Sequence, residues 1–339
     1  MSFTNHKNLG PLIINVDGLN LSSQERMLIR HDLIGGIILF AHNFESKSQL
    51  SDLVADIKSI KDNILITIDH EGGRVQRLLD GFTHLPSFEK ISNIKNYEQA
   101  ISEAYKSGYT AACELYEVGI DVNYSPVVDI KHDSSNKLLN DRTFGHNVKT
   151  IIDLSDNYIK GSLDGSILPV LKHFPGHGRV KTDSHIEDCV TDIDFETLRE
   201  TDILPFKEIH SRFDKYNIPI MTSHLIYSNI DKFIITYSEK WLKSLSTTIF
   251  KKPPIFISDD LEMYSATKHD NKIISCEDRV LNALKAGCRF TIATTMQNRD
   301  IIKDKESHKY FTQNYITNNI IKYYEKNHGK MLDINLPNI

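Results

Sequence analysis

Cysteine is scarce in this sequence, with four residues among 339. Cys113, Cys189, Cys276 and Cys288 are scattered along the chain, and no two of them form a CxxC pair. Disulfides are rare in cytosolic proteins, and cysteines spaced in this way are typical of free thiols in a reducing compartment. We therefore expect a cytoplasmic protein.

Long hydrophobic runs are also absent. The apolar run Leu12–Val16 is too short for the h-region of a signal peptide, and no stretch approaches the ~20 apolar residues of a membrane span. The sequence has a formal net charge of −5 and so lacks the excess of basic residues that nucleic-acid-binding proteins usually carry. With 40% hydrophobic and 25% charged residues, the composition is that of a soluble globular protein. We expect neither a membrane nor a nucleic acid as a partner.

Several short catalytic motifs are missing as well. The sequence contains no HExxH zinc motif, no GxxxxGK phosphate loop and no GxSxG nucleophile elbow. Gly176 and Gly178 begin a GxG pattern that lacks its third glycine. Together with Pro175 they break any helix that could present His173 and His177 on one face. We therefore expect no metal and no cofactor.

What the chain does contain is an alternation of short apolar runs with helical patterns. The runs are short and mostly β-branched, which is typical of parallel strands buried on both faces. The predicted strands are Leu12–Val16, Gly36–Phe40, Ile64–Ile68, Asp121–Tyr124, Leu168–Leu171, Ile218–Thr222, Ile255–Ser258 and Phe290–Ala293. The predicted helices are Ser23–Asp32, Lys47–Ile60, Tyr97–Tyr116, Thr150–Ser162, Glu196–Phe213, Ser238–Phe250 and Ile273–Ala286.

This eightfold alternation predicts an α/β protein with a single (β/α)8 TIM-type barrel. A doubly wound open sheet is the structural alternative. No linker rich in Pro, Gly or Ser divides the chain, so we expect residues 1–339 to form one domain. A polar C-terminal tail is expected from about residue 328, after an amphipathic helix at Tyr315–Lys326. Nothing in the sequence indicates an oligomer, and we expect a monomer.

Polar residues cluster at the ends of the predicted strands. They are Asp17, Asp69, Lys172–His173, Ser223–His224 and Asp259. In a (β/α)8 barrel the C-terminal strand ends converge on one mouth, where active sites lie. Strand ends can also be polar simply because they reach solvent, but five such ends together favour a site.

The stretch IFISDDLEM places Asp259 directly after a buried strand. A rigidly held, partly desolvated carboxylate suits nucleophilic attack on an anomeric carbon, as in retaining glycosidases. Asp260 competes for this role, but neighbouring residues of a strand point in opposite directions, so only one of the two can face the mouth.

The stretch LKHFPGHGRVKTDSH brings Asp183 within two residues of His185. In a tight loop, Asp183 could accept a hydrogen bond from one ring nitrogen and leave the other to protonate a leaving oxygen. An incidental surface contact is an equally open interpretation. In IDHEGGRVQR, Asp69 could bind sugar hydroxyls, with Arg77 or Arg74 beside it; an Arg–Asp pair that braces a loop is the alternative.

The motifs IDHEGGRVQR, NDRTFG, KHFPGHGRVKTDSH and ISDDLEM, in this order, resemble the family 3 glycoside hydrolases. Within that family the chain is similar to the bacterial single-domain β-N-acetylglucosaminidases of peptidoglycan recycling, from about Leu12 to Gly287. The resemblance implies a retaining exo-enzyme that removes terminal N-acetylglucosamine from cell-wall muropeptides, namely GlcNAc-1,6-anhydroMurNAc and its peptide derivatives. Such turnover is linked to cell-wall biogenesis, cell shape and cell division.

The resemblance also implies roles for individual residues. Asp259 matches the nucleophile, His185 the general acid/base and Asp183 its partner. The positions that hold the sugar hydroxyls match Asp69, Arg77, Arg142, Lys172 and His173. The family loop closes over the substrate, which suggests Gly176 and Gly178 as hinges, and His177 would structure the loop.

The sequence departs from the family at two places. The chain reads IEDCV after DSH, where relatives often carry a proline, and Arg289 stands where an aspartate is usual in AGCDM. We expect Arg289 near the bottom of the barrel, with an effect on stability more than on catalysis. Two other functions stay open. Because a neutral histidine does not repel an anionic acceptor, phosphorolysis is one; a non-catalytic muropeptide-binding barrel is the other.

Overall fold

The computed structural model describes residues 9–133, 139–185, 187–270, 272–294 and 321–322. The predicted helix Tyr315–Lys326 lies almost entirely outside these residues, and the predicted tail lies wholly outside them. Only Ile321 and Lys322 of that helix are described, and they are helical. Among the described residues, no helix combines the length and apolar character needed to cross a bilayer.

Parallel strands form the centre of the described structure. In chain order they are β1 (Leu12–Asn15), β2 (Ile34–Leu39), β3 (Leu65–Ile68), β4 (Val122–Asn123), β5 (Leu168–Pro169), β6 (Leu171–Phe174), β7 (Ile220–Thr222), β8 (Phe256–Asp260) and β9 (Cys288–Ile292). Their order in the sheet is β5-β4-β3-β2-β1-β9-β8-β7-β6.

The sheet closes on itself through the segment that contains β5 and β6. These two strands are separated only by Val170, so they are pieces of one strand position. The first piece pairs with β4, where Val122 aligns with Leu168, and the second pairs with β7, where Ile220 aligns with Leu171. Eight strand positions therefore form a closed parallel barrel, which confirms the predicted (β/α)8 fold.

Helices follow the strands around the outside of the barrel. They are α1 (Ser23–Ile29), α2 (Lys47–Ile60), α3 (Phe88–Ser92), α4 (Tyr97–Glu117), α5 (Val148–Asp164), α6 (Phe195–Glu200), α7 (Leu204–Arg212), α8 (Ser246–Ile249) and α9 (Cys276–Ala286). A capping box begins α1, because Ser22 accepts from the amide of Glu25 and the Glu25 carboxylate accepts from the amide of Ser22. These two reciprocal hydrogen bonds stabilise the first turn of the helix.

Two predicted helices are interrupted or change type in the structure. The predicted helix Glu196–Phe213 is divided into α6 and α7, because Pro205 stands at the start of α7 and its ring cannot continue a helix from the preceding turn. The predicted helix Ser238–Phe250 begins as a π-helix over Lys240–Leu245 and ends as α8. Short paired strands also occur outside the barrel, at His70–Gly72 with Val75–Gln76, Cys189–Thr191 with Leu225–Tyr227, and Lys268–His269 with Lys272–Ile273.

Arg289 lies at the end of the barrel away from the strand termini that carry Asp69 and Asp259. It is the second residue of β9, is 5% exposed, and donates from Nη2 to the carbonyl oxygen of Leu9 at 2.7 Å. Its guanidinium lies 4.5 Å from the centre of the Phe290 ring, and burial lowers the pKa of Arg289 to about 10. The predicted position near the bottom of the barrel is confirmed, and the contacts of Arg289 hold β9 to the chain that enters β1.

Candidate active site

Asp259 and Asp260 end β8 in different surroundings. Asp259 is partly exposed at the mouth of the barrel, and one of its carboxylate oxygens accepts the backbone amide of Asp260 at 2.8 Å. Asp260 is 5% exposed, and its carboxylate accepts the amide of Glu262 at 3.0 Å and the hydroxyl of Thr294. As expected from strand alternation, one carboxylate faces the mouth and the other is packed between strands.

The two neighbouring carboxyl groups have pKa values shifted in opposite directions. Burial raises the pKa of Asp260 to about 7. Burial acts in the same direction on Asp259, but the nearby His173 and His224 and the amide of Asp260 outweigh it and hold the pKa of Asp259 below its ordinary value. Asp259 is therefore the ionised carboxylate at neutral pH, as a nucleophile must be.

His185 and Asp183 form the contact that their spacing suggested. Nδ1 of His185 lies 2.8 Å from Oδ1 of Asp183, and the same oxygen accepts the backbone amide of His185 at 2.8 Å. A carboxylate can only accept, so Nδ1 carries the proton and Nε2 is left for a ligand. His185 is also among the groups that lower the pKa of Asp259, so the imidazole and this carboxylate interact electrostatically.

Lys172 lies in a network of charges at the mouth. It is 1% exposed, and its Nζ lies 2.6 Å from Asp69 and 2.7 Å from Glu71. Glu71 also accepts from Nε and Nη2 of Arg142, at 2.8 and 2.6 Å. Nη2 of Arg77 lies 3.7 Å from the other oxygen of Asp69. The four predicted sugar-binding residues of this set are therefore neighbours.

Arg74 belongs to a different contact. Its Nε lies 3.4 Å from Asp141. Of the two arginines that the sequence offered as neighbours of Asp69, Arg77 is therefore the one that lies beside it. The turn between Asp69 and Arg77 depends on Gly72 and Gly73, whose φ angles are +104° and +57°. A side chain at these φ angles is strained, which accounts for the glycine pair in the motif.

His173, the last of the predicted sugar-binding residues, is oriented by a buried carboxylate. Its Nδ1 lies 2.8 Å from Asp129, which is fully buried and also accepts the amides of His173 and His177, at 3.2 and 2.8 Å. Burial favours the neutral form of Asp129, but His173 and His177 outweigh it and lower its pKa. Nε2 of His173 is thereby left for a ligand.

His177 belongs to the packing of this loop. It is 5% exposed, and its Nε2 lies 3.3 Å from the hydroxyl of Ser184. Burial, assisted by the neighbouring His173, lowers the pKa of His177 to about 4, so the ring is neutral at physiological pH. These contacts agree with the loop-structuring role inferred from the family resemblance.

The two glycines proposed as hinges are closely packed. Gly176 has a φ of +135°, and a Cβ atom there would lie 2.8 Å from Cβ of Asp202. A Cβ atom at Gly178 would lie 1.8 Å from the carbonyl oxygen of Ile130. Close approach of neighbouring chain therefore requires glycine at both positions, and the hinge role stays a prediction.

Glu71 and Asp129 were not singled out from the sequence, and His224 was named only as a strand-end residue without a role. His224 is 1% exposed and bridges the Thr236 hydroxyl, at 2.8 Å from Nδ1, and the carbonyl oxygen of Asp260, at 2.9 Å from Nε2. It therefore fixes the backbone next to Asp259. The available signals were weak: Glu71 stands inside IDHEGGRVQR, Asp129 follows an apolar stretch and His224 follows β7. Among the described residues, no group of three or more His, Cys, Asp or Glu side chains could hold a metal ion.

Replacement of Glu71 by glutamine is expected to lower the free energy of unfolding by about 3–5 kcal/mol and to raise the KM for substrate, because Arg142 and Lys172 lose a buried partner. The two cations hold the pKa of Glu71 well below its ordinary value against the effect of burial. The ion-pair contribution to stability is therefore complete above the unfolded carboxyl pKa of about 4.3 and is lost as the pH falls through the folded pKa. Thermal unfolding at several pH values and steady-state kinetics measure both effects.

Glu89 provides the control for this substitution. It pairs with Lys131 at 2.6 Å with 35% of its side chain exposed, so its replacement by glutamine should change stability by about 1 kcal/mol or less. Equal losses in the Glu71 and Glu89 variants would contradict the proposed importance of the buried network.

Comparison with known proteins relates this site to a family. The profile of the "Glycosyl hydrolase family 3 N terminal domain" matches residues 7–318. A "Beta-hexosaminidase" of Nitrosomonas eutropha is 34% identical over 287 residues, which cover 84% of this chain and 80% of that protein. One from Actinobacillus pleuropneumoniae is 36% identical over 279 residues, which cover 82% and 79%.

Solved structures give the same relationship. The crystal structure of native NagZ from Neisseria gonorrhoeae has a TM-score of 0.76 and 32% identity, covering 85% of this chain and 81% of the other. The complex of that protein with N-trifluoroacetyl-D-glucosamine has a TM-score of 0.76 and 32% identity, covering 85% and 82%. The chain therefore belongs to glycosyl hydrolase family 3 and is a β-N-acetylhexosaminidase.

Proposed function

We propose that this enzyme is a retaining exo-β-N-acetylglucosaminidase that works through a covalent glycosyl ester on Asp259. The observation that carries the proposal is the link between two groups: the pKa of the partly exposed Asp259 is lowered in part by His185, whose Nδ1 is held by Asp183, and the chain after Asp259 bonds to Ser184, next to His185. In the first step a carboxylate oxygen of Asp259 bonds to the anomeric carbon while the bond to the leaving oxygen breaks.

His185 would supply and recover the proton. Its Nε2 protonates the leaving oxygen in the first step and then removes a proton from the water that cleaves the glycosyl ester. Asp183, at 2.8 Å from Nδ1, stabilises the charged imidazole and keeps the ring in one tautomer. The second step regenerates the Asp259 carboxylate and releases the sugar with its original β configuration.

The charged network is proposed to hold the terminal sugar. Asp69 accepts hydrogen bonds from hydroxyls, and Lys172, Arg142, Arg77 and His173 donate to the remaining oxygens. Lys172 and Arg142 are fixed by Glu71, and His173 by Asp129. The donors are thus positioned before substrate binds, which reduces the entropy lost on binding.

We propose cell-wall muropeptides as substrates, that is GlcNAc-1,6-anhydroMurNAc and its peptide derivatives, processed in the cytoplasm during peptidoglycan recycling by a monomeric enzyme. Support comes from the combination of KHFPGHG with DSH, from the similarity to NagZ of N. gonorrhoeae, and from four cysteines that form no disulfide.

Incubation with GlcNAc-1,6-anhydroMurNAc peptide and with 4-nitrophenyl β-N-acetylglucosaminide, each with and without phosphate, tests the proposal. Free N-acetylglucosamine, initially as the β anomer by NMR and independent of phosphate, is expected. A sugar 1-phosphate that forms only with phosphate would establish a phosphorylase instead. Absence of turnover on both substrates would overturn the proposed reaction, and turnover of the aryl glycoside alone would overturn the proposed substrate.

A further inference from the structure

The loop that carries His185 contacts the segment that follows Asp259. We define the His185 loop by residues 176–185 and 187–189, and the post-β8 segment by residues 264–268. We propose that Ser265, assisted by Lys268, is a positioning residue that holds the His185 loop in the place where His185 can act on substrate bound at Asp259. This inference rests on the proposed acid/base role of His185.

Ser265 contacts the loop on both sides of His185. Its backbone amide donates to the carbonyl oxygen of Ser184 at 3.1 Å, and its hydroxyl donates to the carbonyl oxygen of Glu187 at 2.7 Å. Ser265 is 2% exposed, so both hydrogen bonds are shielded from competing water. Two bonds to backbone atoms that flank His185 restrict where its ring can lie.

Lys268 adds a second contact from the same segment. Its Nζ lies 2.8 Å from the carboxylate of Asp188 and 2.9 Å from the hydroxyl of Tyr264. The Lys268 and Asp188 side chains are 29% and 44% exposed, and ion pairs in such surroundings contribute little. The Ser265 contacts are therefore the stronger part of the arrangement, and Lys268 is the weaker part.

The post-β8 segment is joined by hydrogen bonds to the end of β8, the strand that carries Asp259. The amide of Met263 donates to the carbonyl oxygen of Asp260 at 3.1 Å, and the amide of Ala266 donates to that of Met263 at 2.9 Å. Ser265 is thus joined by a short, hydrogen-bonded stretch of chain to Asp259. A contact between this stretch and the His185 loop sets the spacing between the imidazole and the attacking carboxylate.

Other parts of the loop are anchored elsewhere. Arg179 pairs with the fully buried Asp202 at 2.8 Å, and Tyr227 donates from its hydroxyl to the carbonyl oxygen of Gly176 at 2.6 Å. At the other end, Cys189–Thr191 pairs with Leu225–Tyr227. These anchors fix the two ends of the loop, whereas Ser265 and Lys268 contact Ser184, Glu187 and Asp188, on either side of His185.

Replacement of Ser265 by alanine tests the proposal, since it removes the bond to Glu187 and keeps the backbone bond to Ser184. We expect kcat/KM on a glycoside with a poor leaving group to fall about three- to tenfold, as for loss of one hydrogen bond. With an activated aryl leaving group, which needs little protonation, the loss in kcat/KM should be smaller. Thr267→Ala is the matched control, because the Thr267 hydroxyl donates within the segment, to the carbonyl oxygen of Tyr264 at 2.7 Å.

A double-mutant cycle separates positioning of His185 from a general structural effect. If Ser265 acts through His185, Ser265→Ala should lower kcat no further in a His185→Ala background. Equal losses in both backgrounds, or equal losses on good and poor leaving groups, would overturn the proposal. Lys268→Met should also reduce activity more on the poor leaving group than on the good one, but by a smaller factor than Ser265→Ala. Lys232→Met, which breaks the exposed pair with Asp270, should leave the ratio of the two activities unchanged.

A measurement independent of activity completes the test. Hydrogen exchange of the amides of His185 and Glu187, which bond to Asp183 at 2.8 and 3.0 Å, should be faster in Ser265→Ala than in the unaltered enzyme or in Thr267→Ala. Unchanged exchange would count against the proposal. Activity of the unaltered enzyme tests the proposed function, whereas these ratios and exchange rates test the role of Ser265, so the two can fail separately.

Discussion

Replacing Asp259 by asparagine is expected to lower kcat at least about a thousandfold on every substrate, with no large change in thermal unfolding. The amide cannot form the glycosyl ester. It is similar in size to the carboxylate, and it occupies the partly exposed position at the mouth without adding a charge. Steady-state kinetics and a thermal melt of the purified variant measure the two quantities.

Asp260→Asn is the control for this substitution. Asp260 is buried against Thr294 and Glu262, and burial raises its pKa to about 7. The asparagine should therefore alter stability and leave kcat within about tenfold of its original value. Near-normal turnover in Asp259→Asn together with a large loss in Asp260→Asn would show that the nucleophile is assigned to the wrong residue.

Covalent trapping adds direct evidence on the same point. A slowly hydrolysed fluorinated N-acetylglucosaminide should label the enzyme once, and peptide mass spectrometry should place the label on Asp259. A label on another side chain would contradict the assignment of Asp259 as the nucleophile, and the absence of any label would contradict the proposed double displacement.

Replacing His185 by alanine is expected to have an effect that depends on the leaving group. With a natural alkyl leaving group, kcat/KM should fall about 10²- to 10⁴-fold, because the proposed general acid is lost. With an activated aryl leaving group, glycosyl transfer to Asp259 needs little protonation, and the loss in kcat/KM, which does not include the later hydrolysis of the glycosyl ester, should be far smaller. A series of aryl glycosides of graded leaving-group pKa gives this dependence as a slope.

The exposed His146 supplies a control for the loss of an imidazole as such, and its alanine variant should keep the original kcat. Asp183→Asn should reproduce the slope of His185→Ala in weaker form, since His185 is kept but its tautomer is no longer fixed. An equal loss on good and poor leaving groups in His185→Ala would assign His185 to binding instead of proton transfer.

Local patterns predicted the barrel because the information for each strand lies within a few residues. The runs that became β1, β3 and β8 are apolar, short and followed by polar residues, and the structure places them within one or two residues of the predicted bounds. Asp259 and Asp69 were found by the same reasoning, since their position depends only on where a strand ends. The Asp183–His185 contact was found because the two residues lie in one loop.

Residues that act through distant partners could not be found in this way. The role of Glu71 depends on its ion pairs with Arg142 and Lys172, which lie 71 and about 100 positions further along the chain. The role of Asp129 depends on its contact with His173, 44 positions away. No periodicity links such pairs, and only closure of the barrel brings them together. The division of the predicted helix Glu196–Phe213 is a different case, because Pro205 was a local signal that favoured a break there.

The segment formed by β5 and β6 completes the circle of strands and contains Lys172 and His173. The architecture and the proposed sugar recognition therefore depend on the same seven residues, 168–174. If the barrel came apart at this seam, the ammonium and imidazole groups would leave Asp69 and Asp129 at once. The ability to bind sugar is in this sense a direct reporter of whether the ring of strands is intact.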